Sequence, residues 1–161
     1  MEFLVGITLA MLVCGVAAAF GMDRDRVFYP AVLIATASYY VAFAVVDGTR
    51  AALIHEAVIA TVFVALAVVG FRRSPWVVVG ALVGHGVMDV FHEALVHNAG
   101  VPHAWPGFCL AFDVTAAVLV GWVLVVRRSK RNVRPAPAAG HASPAPDAAV
   151  PWSVSGRWPS F

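Results

Sequence analysis

Apolar residues in this chain neither alternate with polar ones nor keep to one helical face. They run in five near-continuous blocks, at about 3–20, 28–46, 51–71, 76–96 and 107–126. Each approaches the ~20 residues that a helix rising 1.5 Å per residue needs to cross ~30 Å of hydrocarbon. A spanning strand would show alternation, and only helices and closed barrels satisfy their backbone in lipid. The pattern therefore predicts an all-α, polytopic transmembrane bundle of five spans. Small residues scattered through the blocks permit close helix contact, with Gly80 and Gly84 as one small-xxx-small pair.

Composition agrees. Of 161 residues, 61% are hydrophobic and 12% charged, about half the charge of an average soluble domain. Most of the surface must face lipid, so the bilayer is the expected partner. A net charge of +2 gives no reason to expect nucleic acid. Abundant Arg, Ala and Val suggest a bacterial genome rich in GC.

Charge in the connections predicts orientation. MDRDR (22–26) carries Arg24 and Arg26, FRRSP (71–75) carries Arg72 and Arg73, and RRSKRNVR (127–134) carries five more basic residues. With five spans all three lie on one side. The other side has Arg50 alone, and the loop at 97–107 has no Lys or Arg. The positive-inside rule then places the N-terminus outside and the C-terminus in the cytoplasm of a cell (plasma or inner) membrane. The first block is read as a retained helix, because the positive charge follows it rather than precedes it. Residues 127–161 read as a basic, then Pro/Ala-rich, disordered tail. Cys14 and Cys109 have no metal-type spacing and read as small packing residues.

Candidate chemistry lies in the ionisable residues at membrane depth. Each costs ~2.5–3.5 kcal/mol when charged at the helix centre, so such residues face the bundle interior and mark function. At 100° per residue, His85, Asp89 and His92 fall at about 0°, 40° and −20°, one narrow stripe. Glu93 lies on its flank at about 80°. With block midpoints at the bilayer centre, Asp89, His92, His55, Glu56, Asp113, Tyr39 and Tyr40 all come out ~3–9 Å toward the outer face. Imidazole with carboxylate suits zinc or iron. The expected metal set is His85, Asp89 and His92, completed by His55 or Glu56. Asp113 would orient a ligand, and Glu93 would serve as general base in hydrolysis of a lipid-like substrate. HEALVH (92–97) is one residue too long for a zincin motif, since its histidines lie about 140° apart. Competing readings are a proton- or cation-coupled transporter using Asp89, Asp113 and Glu56, which with five spans would require a homo-oligomer, haem ligation by His85 or His92 with His55, and an accessory subunit whose polar residues only bond one another.

The segments DRVFYPAVLIATASYYVAFAV (25–45), HGVMDVFHE (85–93) and VPHAWPGFCLAFD (101–113) resemble a group of small bacterial multi-pass membrane proteins of unknown function. A looser likeness is to the alkaline-ceramidase-type membrane hydrolases, which hold zinc through transmembrane histidines with Asp and Ser nearby. Those proteins have seven spans, and their motifs do not align with His85, Asp89 and His92. The likeness implies a chemical precedent, zinc-dependent hydrolysis within a membrane.

Overall fold

The computed structural model describes residues 1–24 and 26–133. Five helices, α1 (Glu2–Ala19), α2 (Phe28–Asp47), α3 (Arg50–Arg72), α4 (Pro75–Leu95) and α5 (Trp105–Val133), account for nearly all of it. All five are long and apolar enough to cross a membrane. The helix ends fall within two residues of the expected blocks, except that α5 runs through Arg127, Arg128 and Lys130 to Val133 instead of stopping near 126. Arg and Lys are good helix formers, and cations favour a helix C-terminus, so the basic segment continues the helix. The Pro/Ala-rich tail expected to be disordered lies, from residue 134 on, outside the described residues.

Neighbours pack in the order α1–α5–α4–α3–α2, and α2 also touches α4. One end, the basic end, carries the α1–α2 and α3–α4 connections and the C-terminus of α5. The other, the loop end, carries the α2–α3 turn and the α4–α5 loop. The turns are locally determined. Gly48 takes the left-handed conformation (φ 74°) that closes α2, a region where a side chain would clash. Thr49 caps α3 by accepting from the Ala52 amide at 3.4 Å. At the start of α4, Ser74 is the N-cap, with Pro75 in the first turn where no amide partner is needed. Asp47 binds the Thr49 hydroxyl and also accepts from the Ala99 amide at 3.1 Å, which ties the α2–α3 turn to the α4–α5 loop.

Close approach uses small residues. Gly6, Ala10, Cys14 and Ala17 are the buried face of α1, and a Cβ on Gly6 would overlap the Phe108 carbonyl of α5. Gly80 and Gly84 are exposed with open space around them, so that pair packs against none of the five described helices. The apolar core of Leu33, Phe63, Leu82, Phe112 and Val120 fills the bundle centre. At the basic end Arg127 pairs with the carboxylate and carbonyl of Asp23, fastening the α1–α2 turn to α5.

Candidate metal centre

On α4, His85 and Asp89 are four residues apart and share one face with Val78, Ala81 and Leu82, which pack into the core. The apolar face that drives α4 into the bundle therefore carries the two polar side chains inward. Asp113 enters from α5, Glu56 from α3 and Tyr40 from α2. His85, Asp89, His92, Glu56 and Asp113 are each no more than 3% exposed. The convergence of four helices on one polar layer expected from depth is thus present.

Within the layer the side chains form two pairs. His85 Nδ1 lies 2.7 Å from Asp113 Oδ2, with one proton between them. Two turns nearer the loop end, His92 Nε2 lies 2.8 Å from Glu56 Oε1, an oxygen that also accepts from Asn98 Nδ2 at 2.9 Å. The same Asn98 amide donates to the Tyr40 carbonyl at 3.3 Å. The Tyr40 ring stacks on His92 at 4.2 Å between centroids, and Phe63 meets His85 edge-on at 4.7 Å. These apolar and aromatic walls hold both imidazoles in fixed orientations.

Asp89 stands between the pairs. Its Oδ2 is 3.5 Å from His85 Nδ1, close enough for charge interaction, yet neither Asp89 oxygen makes a hydrogen bond. Among the described residues, seven buried side-chain polar atoms lack a partner. Six are in this layer: Tyr40 Oη, Glu56 Oε2, His85 Nε2, both Asp89 oxygens and Asp113 Oδ1. Buried polar groups are almost always satisfied, because leaving one unpaired costs ~1–3 kcal/mol. Six orphans in one layer mark a place built around something further.

His85, Asp89 and Asp113 each present a ligand-type atom within 4.8 Å of the other two, and this buried group can hold a metal ion. The set differs from the expected one. Asp113 stands among the potential ligands instead of only behind them, and His92 turns its Nε2 to Glu56. Tyr39 and Tyr40 part company, one 50% exposed and the other 2%. His55 and Glu93, expected as ligand and general base, are exposed and make no contact with the group. Consecutive helical residues point 100° apart, so burying Glu56 turns His55 outward. Glu93 lies one turn beyond Asp89 and lines a cavity of about 290 Å³ under the α4–α5 loop, with His92, His97, Asn98 and His103 around it. Ser38 bonds the Ile34 carbonyl of its own helix at 2.6 Å. Cys14 and Cys109 are buried free thiols. Sequence reasoning missed Asn98, which lies in a loop where periodicity carries no information; its one signal was a polar amide three residues after a helix bearing a buried acid.

Neither a family model nor a curated protein nor a solved structure matches this chain.

Proposed function

We propose that the chain is a multi-pass membrane protein that binds a transition metal ion, zinc or iron, through His85, Asp89 and Asp113. The leaflet is the one next to the α4–α5 loop, which the charge distribution makes the outer one. The observation that carries this reading is the buried carboxylate of Asp89, both oxygens unbonded, beside a second carboxylate and an imidazole. A cation or added protons must offset charge in such a place.

Geometry narrows the choice. Bonds of ~2.0–2.2 Å to a tetrahedral ion set ligand atoms about 3.3–3.6 Å apart. The 3.5 Å between His85 and Asp89 fits that spacing. The 2.7 Å between His85 and Asp113 is a hydrogen bond, and a metal would take the place of its proton. Binding therefore releases a proton, and affinity rises with pH. A nitrogen with two carboxylates suits zinc or iron, and such an ion supplies Lewis acidity and an activated water. The cavity under the α4–α5 loop ends at His92, giving a route from the loop end toward the site. Hydrolysis of a lipid-like substrate is the reaction this arrangement serves best, with Glu56 and His92, not Glu93, as the acid–base pair nearest the site.

Elemental analysis of purified protein tests the reading. Near-stoichiometric zinc or iron is expected, retained better at pH 8 than at pH 6, and lost in His85→Ala and Asp89→Ala. Stable, metal-free protein that takes up neither ion would end it.

Cation or proton transport is the second reading, supported by the same buried acids. The next layer toward the basic end is apolar, with Leu33, Leu82, Ala117 and Val120 all buried, so passage would need that layer to open. Flux into liposomes no greater than for Asp89→Asn would dispose of it.

A further inference from the structure

A second cavity lies at the opposite end from the polar layer. It encloses about 450 Å³ between the start of α2, the start of α4 and the end of α5. Its inner wall is apolar, formed by Val78, Val120, Val123 and Leu124 together with Pro30 and Pro75. Its rim carries Arg24, Arg26, Arg127 and Lys130, and among the described residues the one carboxylate lining it is that of Asp23, which already binds Arg127. The buried Tyr29 ring lines it as well.

An apolar slot with a cationic rim at the end of a helix bundle matches one kind of molecule, an amphiphile with an anionic head and a hydrocarbon body. A soluble anion would use the rim and leave the slot wet, whereas a neutral lipid would use the slot and leave the cationic rim idle. Basic pockets between transmembrane helices hold the headgroups of anionic lipids for this reason. We infer that this cavity is a binding site for an anionic phospholipid, the phosphate held by Arg24, Arg26 and Lys130 and the first carbons of the acyl chain lying against Val123 and Leu124. Arg127 is already engaged by Asp23 and shapes the rim. The site does not depend on the metal reading, since no side chain is shared between the two.

Native mass spectrometry of the full-length protein, titrated with phosphatidylglycerol and with phosphatidylcholine of the same acyl chains, tests it. Phosphatidylglycerol should bind tighter, by about fivefold for each cation engaged. Arg24→Gln and Lys130→Gln should each remove about one such factor. Val123→Trp, which fills the slot and keeps every charge, should abolish the tight site. Arg128→Gln removes an exposed charge outside the cavity and should leave it intact. Equal binding of the two lipids, an Arg128→Gln effect as large as that of Arg24→Gln, or undiminished binding by Val123→Trp would each overturn the assignment. So would full displacement of the lipid by inorganic phosphate at equal concentration, which would identify a soluble-anion site instead.

Discussion

Asp89 lacks hydrogen bonds at both carboxylate oxygens, while the histidines one turn either side of it are paired, His85 with Asp113 and His92 with Glu56. The layer therefore divides into the proposed metal group and a clamp, and substitutions in the two have different consequences. Glu56→Ala leaves His92 and Asn98 without their shared acceptor. It should lower stability by ~1–2 kcal/mol, read as a lower thermal midpoint, while metal content stays at the wild-type level. His55→Ala and Glu93→Gln should change neither quantity. Joint loss of metal in Glu56→Ala would place the clamp among the ligands. Much of this layer was legible in the sequence, because helical periodicity puts His85 and Asp89 on one face and a constant rise sets the depth of Asp113 and Glu56. The choice of partners was not legible. Whether Asp113 or Glu56 meets a given histidine depends on how α3 and α5 rotate about their axes, which these apolar helices, hydrophobic on every side, do not record.

The same limit governs the helices as elements. Gly80 and Gly84 have the spacing of a contact face and meet nothing among the described residues, whereas Gly6, with no glycine four residues away, takes the close helix–helix approach of α1 against the α5 backbone. A small-residue pattern shows that a helix can be approached, and only the assembled bundle shows from where. Gly6→Leu should therefore separate α1 from α5 and lower stability by ~1–3 kcal/mol, while Gly84→Leu should stay within ~0.5 kcal/mol. Thermal unfolding of both variants in one detergent checks the contrast, and equal midpoints would refute it. The span boundaries were legible because hydropathy changes sharply at each turn. The extra length of α5 was not, since basic residues end a hydrophobic block without ending a helix.

At the scale of the whole molecule, the polar layer and the cationic cavity lie toward opposite ends, with the apolar core between them. Such polarity makes the two ends of the bundle chemically distinct. If the basic end is cytoplasmic, a fluorescent reporter fused to the C-terminus should glow, and alkaline phosphatase fused there should be inactive. An active phosphatase would invert the molecule and turn the cationic cavity to the outer leaflet. Helices in lipid insert singly and associate afterwards, and here α1 packs along α5. Of these five helices α1 is made before α5, so α1 must wait beside the growing bundle until α5 enters the bilayer. Asp113 arrives with α5, so a nascent chain that has made only α1 to α4 holds two of the three residues of the proposed metal group, and the docking of α5 against α4 is the event that assembles it.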